Sequence, residues 1–245
     1  MSVFGAVRGR PAVVGHRGVR RAGVVENTLE ALAAAHAEGA DWLELDARRS
    51  ADGPLVLYHN GWTPDGVPVV ERTAGELGAL GLCTLAAALD WLPDGVGVDV
   101  EVKNLFGEPD YDEQDTIVAD IATLLGPHVG RRPLLTSSFN PVTVATLTAA
   151  LPDVPCGLIH FDSLSLPSAV ALAVEQGARV VAPQSTSVGL DADGIATAHA
   201  AGLAVMPWTV NEPAEAQRLA DAGVDALCTD DPATVKAALS ATPRA

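Results

Sequence analysis

Eight short runs rich in β-branched and small apolar residues recur along the chain, each followed by an alanine-rich stretch with helical spacing. Strands that read as nearly continuous apolar runs are buried on both faces, which requires helices to cover a parallel sheet. The predicted strands are 12–16, 41–46, 97–103, 133–138, 155–161, 179–183, 203–208 and 225–229. Helices are predicted over 28–38, 112–125, 141–150, 166–176, 192–201, 213–222 and 232–239. Asn27 followed by Glu30 reads as a capping box, Gly39 as a left-handed C-terminal cap, and Pro141, Pro213 and Pro232 as first-turn prolines. Eight such units in 245 residues match an α/β fold of the closed (β/α)₈ TIM barrel type, with an open doubly wound sheet as the alternative.

The interval between the second and third predicted strands is about twice the others. It contains a strand-like run, 55–59, then a stretch rich in Gly, Pro and Thr, then a helix near 84–91. The expectation is one barrel domain over 1–245, with an insertion at about 55–83 in the second βα loop, on the face where barrel enzymes carry their chemistry.

Residues classed as hydrophobic make up 48% of the chain and charged ones 19%, enough apolar surface for a sizeable core. The formal charge of −16 argues against non-specific binding to nucleic acid and against stable association with an anionic membrane. Cys83, Cys156 and Cys228 are too widely spaced for a metal knot and odd in number, so they read as thiols. No apolar run reaches the roughly 18 residues of a membrane span, and the start lacks the pattern of a secretion signal, so the expected location is cytoplasmic.

Ionisable residues collect at the carboxyl ends of the first three predicted strands. The first ends in His16 and Arg17. The second carries Glu44 and Asp46, and the third Asp99, Glu101 and Lys103. A strand period of two points Glu44 and Asp46 the same way. Two unit charges about 4 Å apart interact by around 4 kcal/mol at an effective dielectric near 20, so crowded carboxylates call for protons or a cation. A hard divalent ion, Mg²⁺ or Ca²⁺, takes oxygen ligands and resolves the repulsion. The alternative is a structural network in which Glu44 pairs with Arg48 or Lys103 and Glu101 with another base. His59, at the end of the extra strand, can lean over the same mouth as His16, and two histidines can divide proton transfer. Arg17 and Lys103 suit phosphate oxygens. His36, His128, His160 and His199 read as structural.

The motifs His16-Arg-Gly18, Glu26-Asn-Thr28, Glu44-Leu-Asp46, His59, Glu101-Val-Lys103, Ser138-Phe139, Trp208-Thr-Val-Asn211 and the closing stretch 223–232 follow one another along the chain. Taken together the chain resembles the glycerophosphodiester phosphodiesterase family. The resemblance implies a (β/α)₈ barrel that hydrolyses small-molecule glycerophosphodiesters to glycerol 3-phosphate and an alcohol with a divalent metal. It implies His16 and His59 as the acid/base pair and Glu44, Asp46 and Glu101 as metal ligands, with Glu26 a further contributor. It also implies Arg17 and Lys103 on the phosphate and Trp208 as an apolar wall for the glycerol. His59 is expected to serve the leaving group. The family usually carries Asp where this chain has Asn60, which removes a charge beside His59. Two alternatives remain: a lipid phosphodiesterase of the phospholipase or sphingomyelinase D type, and a catalytically weak barrel that binds phosphodiesters.

Overall fold

The computed structural model describes residues 3–5 and 9–240. Its strands are β1 (Ala12–Gly15), β2 (Trp42–Arg49), β3 (Leu55–Leu57), β4 (Gly97–Val102), β5 (Leu134–Ser138), β6 (Cys156–His160), β7 (Val180–Pro183), β8 (Ala204–Val205) and β9 (Ala226–Thr229). Every strand except β3 belongs to one parallel sheet, in the order β8-β7-β6-β5-β4-β2-β1-β9. In an open sheet β1 and β9 would not meet. Here they pair from Ala12↔Ala226 to Gly15↔Thr229. The remaining seam, between β8 and β9, is bridged by backbone bonds from Asp225 N to Val205 O, Cys228 N to Pro207 O and Val210 N to Cys228 O. The eight parallel strands therefore form a nearly closed barrel.

The helices are α1 (Leu29–Ala37), α2 (Ala74–Ala79), α3 (Leu85–Trp91), α4 (Ile117–Leu125), α5 (Pro141–Ala150), α6 (Leu166–Glu175), α7 (Ala192–Ala200), α8 (Pro213–Ala222) and α9 (Pro232–Ser240). Two of the predicted elements are shorter by more than two residues than the apolar pattern suggested. Asp112 accepts from the backbone N–H groups of Gln114 and Thr116, and Asp115 has φ 51°, so the chain makes a turn before α4 begins at Ile117. Pro207 has no N–H to donate, and β8 stops at Val205. The predicted cap is also displaced by one residue. Thr28, not Asn27, accepts from Ala31 N at the start of α1, because Asn27 has φ 59° and its side chain is engaged elsewhere.

Strand alternation places the site. On β2, Leu43 and Leu45 join the core between sheet and helices, while Trp42, Glu44 and Asp46 take the other face. Their neighbours on β4 are Gly97, Asp99 and Glu101 in turn. At the foot, Gly97 is required, since a Cβ there would lie 2.2 Å from the Trp42 ring. Above that apolar floor the inner face becomes acidic, rising toward the carboxyl end. β2 runs past the barrel proper to Arg49, and β3 pairs with this extension antiparallel, from Ala47↔Leu57 to Arg49↔Leu55. Among the described residues no helix is long and apolar enough to cross a membrane.

Candidate active site

At the end of β1 the chain turns sharply. A Cβ on Gly15 would lie 2.8 Å from the Gly18 carbonyl oxygen, and one on Gly18 (φ 86°) would lie 2.5 Å from the Ala31 backbone. Between them, Arg17 is held at φ 55°, and Asn27, at φ 59°, donates its backbone N–H to Arg17 O at 2.9 Å. Non-glycine residues in this region cost of order 1–3 kcal/mol each, and such strain concentrates where a backbone group must be aimed. Here Arg17 N points at Glu44 Oε2, 2.8 Å away. Asn27, fully buried, clasps Asp46 twice: its Nδ2 donates to Oδ2 at 2.7 Å, and its Oδ1 accepts from Asp46 N at 3.1 Å.

Glu44, Asp46 and Glu101 are all buried and each offers a carboxylate oxygen within 4.8 Å of the others. Lys103 Nζ pairs with Glu101 and, at 2.8 Å, with Asp46; Arg17 Nε lies 3.1 Å from Asp46. The charges are unevenly shared. Burial opposes ionisation of Asp46, yet Lys103 and Arg17 outweigh it and hold its carboxyl well below the usual range. Burial, together with Asp46 and Glu101, pushes Glu44 well above it. Lys103 is also buried, but Asp46 and Glu101 more than restore its charge. The pair that the alternative reading gave Glu44, with Arg48 or with Lys103, does not form. Arg48 binds Glu108 and Asp110, Lys103 takes Asp46 and Glu101, and Glu44 Oε1 is buried without a hydrogen-bond partner. An unmet acidic oxygen beside two further carboxylates is the donor set a hard divalent ion takes, so these residues fit such an ion. Glu26 lies outside this group, bound by Arg17 at 2.9 Å and Arg20 at 3.3 Å. One layer deeper, Asp99 accepts from Ser137 Oγ, and burial pushes its carboxyl up to about 7.

Both histidines line one cavity of about 360 Å³ together with Arg17, Glu44, Glu101 and Lys103. His16 Nδ1 donates to Asp230 Oδ1 at 2.7 Å, and Asp230 Oδ2 accepts from Asn211 Nδ2 at 2.9 Å. His59 Nδ1 donates to Asn60 Oδ1 at 3.0 Å. A hydrogen bond at Nδ1 fixes the tautomer, leaving Nε2 of each ring for chemistry. Burial and the charge of Lys103 push His59 down to about 4, so the ring is neutral at pH 7. Asp230 and Asn211 stand within the sequence motifs, which carry no role for either. Asp230 is the first residue after the last strand, so looking for ionisable groups at that strand end as well as at the first three would have found it.

Across the cavity, β5 to β8 contribute apolar groups. Phe139 and Phe161 stack at 4.7 Å, and Trp208 meets their edges at 5.4 and 5.7 Å while its Nε1 donates to Ala182 O. The mouth thus has a charged half on β1, β2 and β4 and an aromatic half opposite.

A model of the glycerophosphoryl diester phosphodiesterase family matches residues 16–234. A glycerophosphodiester phosphodiesterase of Caldanaerobacter subterraneus subsp. tengcongensis is 26% identical over 91% of this chain and 95% of its own length. A probable glycerophosphodiester phosphodiesterase 1 of Mycobacterium tuberculosis is 27% identical over 94% of this chain and 92% of its own. Among solved structures, an Oleispira antarctica phosphodiesterase in complex with the product sn-glycerol-3-phosphate superposes with a TM-score of 0.80 at 25% identity, covering 95% of this chain and 98% of that one. The matched span runs from the first histidine to the last helix and so takes in both halves of the mouth: the chain belongs to the glycerophosphoryl diester phosphodiesterase family.

Proposed function

We propose that the chain hydrolyses glycerophosphodiesters to glycerol 3-phosphate and an alcohol, with a divalent cation held by Glu44, Asp46 and Glu101 and proton transfer divided between His16 and His59. The observation that carries this is the meeting of two Nδ1-tethered imidazoles, two cations, Glu44 and Glu101 in one cavity, with Asp46 grouped beside the two carboxylates. The product complex of the Oleispira antarctica relative supports the substrate class. When bound, the cation draws charge from the phosphate and lowers the cost of deprotonating the glycerol 2-hydroxyl. Arg17 and Lys103 bind the non-bridging phosphate oxygens and stabilise their charge as phosphorus is attacked. Trp208 packs on the carbon face of the glycerol. Glu26 joins the ligand set only by releasing Arg17 and Arg20.

His59, neutral in the free site, takes the proton of the 2-hydroxyl as that oxygen attacks phosphorus. His16, which enters the step as an imidazolium facing Asp230, protonates the departing alcohol and is left neutral. Water then opens the cyclic glycerol phosphate with the two roles exchanged. We therefore give His16 the leaving group, the opposite of the sequence expectation, because the carboxylate behind His16 and the lysine facing His59 come from distant strands. Asn60 still accepts the Nδ1 bond from His59, so loss of the family's usual carboxylate leaves the ring oriented, which favours turnover over simple binding.

The test is release of glycerol 3-phosphate from several glycerophosphodiesters with Mg²⁺ or Ca²⁺. Chelator should abolish it, and Glu44→Gln should raise the metal concentration needed to restore it. Full activity in chelator would return the carboxylates to a structural role; tight binding without turnover would mark a binder.

A further inference from the structure

Among the described residues Arg48 is the largest fully buried side chain, 0% exposed, and the proposed chemistry makes no use of it. It sits on the part of β2 that outruns the barrel, where β3 pairs with it. Burying a guanidinium costs several kcal/mol unless every face of it is paired, and here its partners come from two other segments. Nη1 donates to both oxygens of Asp110 at 2.7 Å, and Nη2 forms an ion pair with Glu108. Nη2 and Nε together donate to the backbone carbonyl oxygen of His59, at 2.7 and 3.1 Å.

His59 needs such a hold because its segment is leaving the sheet. The β3 strand ends at Leu57, with one further backbone bond from Tyr58 N to Asp46 O at 3.0 Å, and the His59 ring is hydrogen-bonded to the neighbouring Asn60, which moves with it. The loop after β4 contributes Leu105 and Glu108 to the cavity wall and docks on the same segment: a Cβ on Gly61 would lie 2.7 Å from Pro109 Cδ. Arg48, itself on β2, thus bonds both the His59 peptide and this loop. Its planar fork sets Nε and Nη2 together on one carbonyl while Nη1 reaches a carboxylate, three donor nitrogens that a single ammonium cannot supply.

We infer that Arg48 is a positioning residue for His59: its buried guanidinium, anchored by Asp110 and Glu108, fixes the peptide that aims the imidazole into the cavity. This rests on the reading of His59 as a proton carrier. A misplacement of about 1 Å can cost about 10² in rate, so the effect belongs in kcat with little change in KM.

The experiment is a double-mutant cycle on the full chain with glycerophosphocholine and saturating Mg²⁺. Arg48→Lys keeps the charge that the two carboxylates need. It should lower kcat about 10-fold or more with KM within about 2-fold, and it should lower the residual rate of His59→Ala by less than about 2-fold, because the group it positions is gone. Arg49→Lys, whose parent side chain reaches Asp112 on the same loop at 3.4 Å, should leave kcat unchanged. Should Arg48→Lys fail to fold, Asp110→Asn, which loosens the anchor and leaves the fork in place, is read by the same cycle. Wild-type kcat in the folded variant, or an equal loss with and without His59, overturns the proposal. Wild-type turnover in His59→Ala itself overturns the functional reading beneath it.

Discussion

The two histidines occupy the same cavity but are held by different means. His16 stands directly on the barrel frame. Its backbone N–H donates to Thr229 O across the β1–β9 pair, and its ring is backed by a carboxylate from the end of β9 that Asn211 fixes in turn. His59 stands outside the frame, on an excursion anchored to β2 by three antiparallel pairs, with a neutral amide behind its ring and a buried arginine under its peptide. The lesson is that a ring on a strand end inherits its position from the sheet, whereas one on an insertion needs a dedicated anchor. The electrostatics differ too: the Asp230 carboxylate lies 2.7 Å from His16 Nδ1, while burial and Lys103 disfavour positive charge on His59.

Removing either ring tests whether both arms serve one reaction. His16→Ala and His59→Ala should each lower kcat by about 10² or more with modest change in substrate binding. Near wild-type turnover in both would mean that the cavity gathers the rings for another purpose. The backing groups come next. Asp230→Asn keeps a hydrogen-bonding group at His16 Nδ1 but removes the charge, and should cost about 10-fold or more in kcat. If the loss matched a surface substitution, the strapped ring would need no carboxylate and the contrast between the arms would vanish. The smallest effect is expected from Asn60→Asp. A carboxylate favours the imidazolium, so it should raise His59 from about 4. A ring required neutral is then lost to protonation at higher pH, and the acid limb of kcat/KM should move upward by about one unit, with a change of only a few-fold at its plateau. A limb that stayed in place, or moved down, would remove His59 from the role of first proton acceptor.

Much of the fold was legible because its signals are local. Alternation along β2 put Glu44 and Asp46 on one face whatever their neighbours, and the prolines at 141, 213 and 232 stand at the first turn of α5, α8 and α9. Pattern was less reliable where a single residue could override it, as with Pro207 shortening β8 and Asn27 giving up the cap to bind Asp46. Within the site, the carboxylates and both histidines could be named from their places at strand ends. Their partners could not: Arg48, weighed only as an alternative partner for Glu44, binds Asp110, 62 residues on.

What the chain determines by itself is periodic: which faces are apolar, where strands stop, and which charged groups are delivered to the carboxyl edge, since backbone geometry acts over two to four residues. What only the tertiary structure decides is pairing. Asp230 reaches His16 across 214 residues because the barrel closes, and Lys103 turns to Asp46 because β2 and β4 lie in one register. Those contacts depend on how strands align in space, and burial then makes each of them strong enough to set which groups are charged.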